Sequence, residues 1–286
     1  MAKALVNKIN LYYEISGEGF PLVFCHEFAG DFRSWESQVR FFSRRYKVIT
    51  YNARGYPPSD VPNDLDMYSQ EQAVEDLFGL LDYLQIDRAH IAGLSMGGNV
   101  ALNFGIVHPA MTASLIIAGT GTGSTAPKLF KRNLERFAQS MDSEGMQGMI
   151  DYANGPTRIQ LLRKNPRSWQ EFRAQFFQHS SVGSAMTFRG VQGKRASIFC
   201  LESELSSLDA PVLIMVGDDD DPCIAPGIFM KEYIPSSGLV VFPQSGHAIN
   251  LEEPDLFNRT VQDFLMAVES GQWTVNTKGC ESGSLI

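Results

Sequence analysis

Three stretches of this 286-residue chain carry residue types that can do chemistry together. The first is Gly93-Leu94-Ser95-Met96-Gly97, set between the apolar run Ala89–Gly93 and a helical pattern that begins at Gly97. A sharp strand-to-helix turn there pushes the serine hydroxyl out of a sheet, and glycines on both sides are needed because side chains would collide with the turn. A serine hydroxyl is a poor nucleophile at neutral pH, so it needs a base within hydrogen-bond reach, oriented in turn by a third group. Of the five histidines, His90 precedes a predicted strand, His108 sits in the His-Pro that ends a helix, His179 lies in the insertion that interrupts the strand–helix pattern, and His26 follows a strand end. His247, in "PQSGHAINLEEP", falls in a loop after the last predicted strand and before the last helix. That is the sheet edge at which ligands bind in open α/β folds, which makes His247 the candidate base. The third stretch, "VGDDDDPC" (Val216–Cys223), supplies four consecutive acids. Consecutive aspartates followed by Pro222 cannot all face one ion, so a metal site is not expected and one of the four is the candidate orienting acid.

These residues must be held by a scaffold, and the first third of the chain alternates strand and helix signals. Ile9–Ile15 alternates polar and apolar, while Phe20–Cys25, Tyr46–Tyr51, Ala89–Gly93 and Ala113–Gly119 are short apolar or β-branched runs of the buried-strand kind. Between them, "RSWESQVRFFSRR" places Trp35, Val39 and Phe42 on one helical face. Ser69 with Gln72 forms a capping-box pattern ahead of the stripe Ala73, Val74, Leu77, Leu80, Leu81 and Leu84. The pattern resumes with Ala210–Gly217, Gly238–Phe242 and a helix from Pro254 to Val268. Alternating strands and helices with short connections predict a mostly parallel sheet with helices on both faces.

The region between is different. From Ser124 to Ser207 there are twelve Lys/Arg against seven Asp/Glu, in a chain whose net charge is −8. It contains several helical patterns, no strand of note, and many Met and aromatic residues, among them Met141, Met149, Trp169, Phe172, Phe176 and Phe188. A helical insertion between two strands of a parallel sheet is expected to act as a lid. The predicted organisation is a core of residues 1–123 and 208–270, a helical cap of 124–207, and a loosely ordered tail of 271–286.

The acidic balance argues against nucleic acid as a partner. The chain has no apolar run of the ~20 residues that a membrane span needs and no secretory pattern at its start, so a cytoplasmic protein is expected. Cys25, Cys200, Cys223 and Cys280 are scattered without a C-x-x-C pair, which supports neither a disulfide framework nor a zinc site, and Cys25 is expected in the core.

In the serine elbow, the His-Pro after its helix, the "RG" of "YNARGYPPSD" and the order serine, acid, histidine, the chain resembles the α/β-hydrolase superfamily from about Asn10 to Val268. The resemblance implies the α/β-hydrolase fold and an acid three residues beyond a glycine, which from Gly217 is Asp220, with Asp221 as the rival. It also implies an oxyanion hole of two backbone N–H donors, Met96 after the nucleophile and Phe28 in "CHEFAG". The superfamily's loop usually begins His-Gly; this chain has Glu27 instead. Glu27 is expected to point away from the hole, held by a partner or reaching the substrate, and a positive φ there would store strain.

The implied function is a serine hydrolase acting on a small or medium, largely apolar ester or lactone, with no cofactor and as a possible homodimer. The elbow "GLSMGG" is similar to that of enol-lactonases. Carbon–carbon bond hydrolysis of a ring-cleavage product, cofactor-free perhydrolysis and a non-catalytic ligand sensor are the alternatives on the same fold.

Overall fold

The structure, a computed structural model, describes residues 2–155 and 158–274. Eight strands form one sheet: β1 (Ala2–Val6), β2 (Ile9–Ser16), β3 (Phe20–Cys25), β4 (Tyr46–Tyr51), β5 (Ala89–Leu94), β6 (Thr112–Ala118), β7 (Val212–Gly217) and β8 (Ser237–Phe242), in the order β1-β2-β4-β3-β5-β6-β7-β8. The pairs from β4 to β8 are parallel, and β1 and β2 join antiparallel at one end. This is the predicted α/β-hydrolase fold.

The apolar strand runs are buried on both faces, and alternate residues go to opposite sides. Val23, Ile49, Ile91, Leu115, Ile117 and Ile214 join one core, which helices α2 (Gln70–Tyr83) and α3 (Met96–Val107) cover. Leu22, Phe24, Ala92, Ile116, Leu213 and Met215 join another, covered by α1 (Glu36–Phe42) and the C-terminal helix Pro254–Glu269. Sandwiching a parallel sheet in this way removes both faces from water, which is why its strands lack a polar alternation. Cys25 lies in the first core, 1% exposed.

Three expectations are corrected in detail. Sequence reasoning passed over β1, which is joined to β2 through Asn7 and Lys8, both at positive φ (47° and 69°). That two-residue turn suits a hairpin but lacks the glycine that would flag it. The capping box of α2 is half formed: Ser69 Oγ accepts the Gln72 N–H at 3.0 Å, but the Gln72 side chain donates to Asp76 instead of turning back. Asp76 is buried and paired with Arg54 at 2.8 Å, and it takes the extra donor. The tail is not loose throughout, because the Trp273 ring packs edge-on to Phe264 and its Nε1 donates to the Ser236 carbonyl at 3.2 Å. The rest of that tail, residues 275–286 with Cys280, lies outside the described residues.

Between β6 and β7 the described chain is helical: α4 (Pro127–Glu144), α5 (Ile150–Ala153), α6 (Ile159–Lys164), α7 (Pro166–Phe176), α8 (Ser181–Met186) and α9 (Glu202–Ser206). Helix α8 was not foreseen; it is short, rich in Ser and Gly, and continues into a π-helical turn, Thr187–Gln192. After β7 come α10 (Asp221–Tyr233), α11 (Ile249–Glu252) and α12 (Pro254–Glu269). The insertion builds its own apolar core from Met141, Met149, Phe172, Phe176 and Phe188, and this core continues onto Phe28 and Met96 of the sheet edge.

Candidate active site

Every predicted site residue follows the C-terminal end of a strand. Ser95 comes directly after β5 and before α3, with φ 56° and ψ −110°, a backbone that L-residues rarely adopt. The turn is held by the Ser95 N–H, which donates to Ala118 O of β6 at 2.8 Å. Its flanking glycines are dictated by space. A Cβ on Gly93 would lie 2.1 Å from Gly97 O, and one on Gly97 would lie 2.0 Å from Cys25 O at the end of β3.

His247 and Asp220 leave the neighbouring strands β8 and β7. His247 Nδ1 lies 2.7 Å from Asp220 Oδ2, and both residues are buried, at 5% and 0% exposure. A carboxylate only accepts, so Nδ1 carries the proton and Nε2 is left as the basic nitrogen. Burial pushes the imidazole pKa down, but the Asp220 carboxylate beside it outweighs burial and holds it above the ordinary value. Gly119, at the end of β6 between the serine and the acid, sits among them. A Cβ there would be 3.1 Å from Leu94, 3.2 Å from His247 O and 3.5 Å from Asp220 Oδ2.

The four aspartates have four separate surroundings. Asp218 Oδ1 accepts the Ser245 N–H at 3.0 Å, which steadies the loop carrying His247, and such backbone donors hold its carboxyl below the usual range. Asp219 accepts from Gln160 of α6. Asp220 turns inward to His247, and Asp221, exposed, opens α10. Of the two candidate acids, the structure brings Asp220 to the histidine.

Phe28 and Met96 meet where α3 begins beside the β3 loop. Met96 heads its helix, so its N–H has no carbonyl one helical turn back to bond. The peptide that carries the Phe28 N–H is fixed through its other end: the Glu27 carbonyl is 2.7 Å from His26 Nδ1 and accepts the Gly30 N–H at 3.2 Å. In a trans peptide the N–H points opposite to the C=O, so these two bonds aim the Phe28 N–H. His26 Nε2 accepts from Ala53 N at 3.0 Å, and burial pulls its pKa down to about 4, so the ring stays neutral in one tautomer. The positioning part of His26 was missed by sequence reasoning, which saw only a loop histidine.

Glu27 is 1% exposed, and both carboxylate oxygens are bound by the guanidinium of Arg158, Oε1 at 3.0 Å from Nη1. Arg158 is itself 2% exposed and lies over the rings of Tyr152 and Phe172, at 5.3 and 5.1 Å. Residue 27 has no positive φ, so the strain that a positive φ would have stored does not arise; the glutamate is accommodated by a partner 131 positions away that no local pattern reveals.

Behind the acid, Cys223 Sγ is 3.2 Å from Thr122 Oγ1, and a ligand atom from each of Asp220, Cys223 and His247 lies within 4.8 Å of the others. Burial raises the thiol pKa far above its ordinary value, so Cys223 is a neutral neighbour; a metal there would have to displace both its proton and that on Nδ1. Among the described residues no helix is long and apolar enough to cross a membrane.

Ser95, Asp220 and His247 thus follow β5, β7 and β8 at one end of the sheet, and the chain is similar in sequence and fold to several known enzymes. The 3-oxoadipate enol-lactonase 1 of Acinetobacter baylyi is 27% identical over 270 residues, covering 91% of this chain and 94% of that protein. A 2-hydroxy-6-oxononadienedioate/2-hydroxy-6-oxononatrienedioate hydrolase of Pseudomonas putida is 27% identical over 277 residues, covering 90% and 92%. Among solved structures, the enol-lactonase from Burkholderia xenovorans LB400 superposes with a TM-score of 0.82 at 27% identity, over 93% of this chain and all of that one. The sequence profile of the alpha/beta hydrolase fold family matches residues 21–254. The chain is an enzyme of the alpha/beta hydrolase fold family.

Proposed function

We propose that this enzyme cleaves a small or medium, largely apolar carboxylic ester or lactone through an acyl-enzyme. The observation that carries the reading is the 2.7 Å His247–Asp220 bond, at the sheet edge that also bears Ser95 in its strained turn. Ser95 Oγ attacks the substrate carbonyl as His247 Nε2 takes its proton. Asp220 stabilises the imidazolium, and the Phe28 and Met96 N–H groups receive the oxyanion. The imidazolium then protonates the leaving alkoxide, and water, activated by the same nitrogen, releases the acid and restores Ser95. The insertion of about residues 124–207 serves as a cap whose Met and aromatic side chains face the acyl chain.

Carbon–carbon bond hydrolysis is the second reading, and it is favoured by the likeness to the dienedioate hydrolase at the same 27% identity. Both are tested together. A serine-directed 4-nitrophenyl phosphonate is expected to add one adduct, located by mass spectrometry at Ser95 and absent from Ser95→Ala. Rates on a panel of aryl esters, enol-lactones and dienoic ketones then rank the bond types. No adduct at Ser95 would overturn both readings, and turnover of the ketones alone would overturn the ester and lactone reading.

A further inference from the structure

The Glu27–Arg158 pair joins the oxyanion loop to the insertion beside the reacting groups. Glu27 is bonded to Phe28, whose N–H is the proposed oxyanion donor, and the charges of both Glu27 and Arg158 act on His247. Tyr152, under the guanidinium, is close enough to feel Asp220. This pair and its aromatic bed form a charged wall of the insertion beside the oxyanion loop.

A guanidinium in such a place, with two N–H groups in fork geometry, is suited to a carboxylate. In this chain that position is already filled by the protein's own carboxylate, bidentate and shielded from water. Burial alone would push the Glu27 carboxyl up, yet Arg158 holds it below its ordinary value, so the pair stays ionised and balanced. A second carboxylate brought to this wall would find Arg158 already paired and would face Glu27.

We propose that Glu27, by occupying Arg158, sets the substrate class of this enzyme: the part of the substrate lying against the Glu27–Arg158 wall is uncharged, and removal of the Glu27 carboxylate turns the same wall into a carboxylate-binding site. Glu27 is thus a specificity-determining residue that acts through Arg158. This rests on the serine-hydrolase reading and narrows it to esters or lactones whose group at this wall is uncharged.

The test compares 4-nitrophenyl butyrate with 4-nitrophenyl hemisuccinate, which have acyl chains of equal length and differ in a terminal carboxylate. Wild-type kcat/KM is expected to favour butyrate by at least about tenfold, and Glu27→Gln to shift the ratio toward hemisuccinate by about tenfold or more, chiefly in KM. Glu27→Gln with Arg158→Met, which removes both charges, is expected to return the ratio to the wild-type side. Because breaking a buried pair can prevent folding, a binding readout accompanies the kinetics. Sodium acetate, against a sodium chloride control, is expected to raise the Tm of Glu27→Gly and leave that of the wild type unmoved.

A wild type that prefers hemisuccinate, or a folded Glu27→Gln whose ratio stays within about twofold of wild type, overturns the proposal. So does a Glu27→Gly whose Tm ignores acetate. If the wild type labels at Ser95 with a phosphonate, such results count against the substrate assignment alone. If it does not label, the hydrolase reading falls, and the acetate response still decides whether Arg158 becomes a carboxylate site once Glu27 is gone.

Discussion

The two halves of the site are built differently. On the sheet side, Ser95, Asp220, His247 and the Phe28 peptide are positioned by backbone: strand ends in register, a positive-φ turn, and carbonyls that leave no room for a Cβ beside them. On the insertion side, position is set by side chains: Arg158 on Glu27, Gln160 on Asp219, and Lys164 on Ser245 and Glu253, together with stacked rings such as Phe28 on Phe188 at 3.7 Å. One insertion edge departs from this, where α8 and its π-helical continuation meet the core backbone to backbone. A Cβ on Gly183 would lie 1.9 Å from Gly55 O, and one on Gly190 would lie 2.3 Å from Tyr68 O. Backbone placement suits the proposed chemistry, which tolerates little displacement, while side-chain placement can be exchanged residue by residue, which suits the part proposed to choose a substrate.

The sharpest way to break this contrast is in the sheet half. His247→Ala should lower kcat by roughly 10⁴ to 10⁶ with an unchanged circular dichroism spectrum. Asp220→Asn should cost about 10⁴, whereas Asp219→Asn and Asp221→Asn should remain within about tenfold of wild type. Similar losses in all three would mean that the aspartates act as a group and that backbone placement does not single one out. The pH profile sharpens the point. The base must be neutral to take the serine proton, and Asp220 holds the His247 pKa above the ordinary ~6.5. The acidic limb of kcat/KM should therefore lie above pH ~6.5 and move down in residual Asp220→Asn activity. The same raised pKa contributes stability that is complete at low pH and is lost as pH rises through the folded-state value.

A smaller effect is expected where the insertion meets backbone. Gly183→Ala must push apart two main chains, and by analogy with overpacked cores should cost about 1–3 kcal/mol in urea unfolding. If it cost nothing, that edge would be as adaptable as the rest of the insertion. The smallest effect belongs to the polar edge. Lys164→Met removes a partly exposed ion pair with Glu253 and a 2.9 Å bond to Ser245 Oγ, and should change stability by no more than about 1 kcal/mol. A larger loss would show that the side-chain edge, too, is a fixed hinge point.

The same division explains what could be read in advance. Strand runs such as Phe20–Cys25 and Tyr46–Tyr51 match the structure residue for residue, because burial on both faces leaves an unbroken apolar record in the sequence. The serine elbow was legible because two glycines are imposed on it by backbone. Asp220 could be chosen over Asp221 only through a count from Gly217 that the resemblance supplied, since nothing local separates four identical acids. Arg158 and the orienting part of His26 were not legible at all. Each depends on a contact that the fold creates, one across 131 positions and one through a carbonyl, and neither leaves a periodic trace. The β1 hairpin escaped because its turn uses Asn7 and Lys8 where a glycine would have announced it.

The run Asp218–Asp221 has a consequence at the level of the message that encodes it. The acid that meets His247 stands three places after Gly217, and the two positions before it and the one after are also aspartate. Loss of any single codon from the run therefore leaves an aspartate in that third place, with Pro222 drawn up directly behind it. Counted from Gly217, what such a slip removes is the fourth place, the exposed residue that opens a helix, while the letter in the third place is unchanged. Four identical letters act here as a repetition code: ambiguous to a reader seeking the one that matters, and for the same reason tolerant of a copying error that shifts the frame of the loop by one residue.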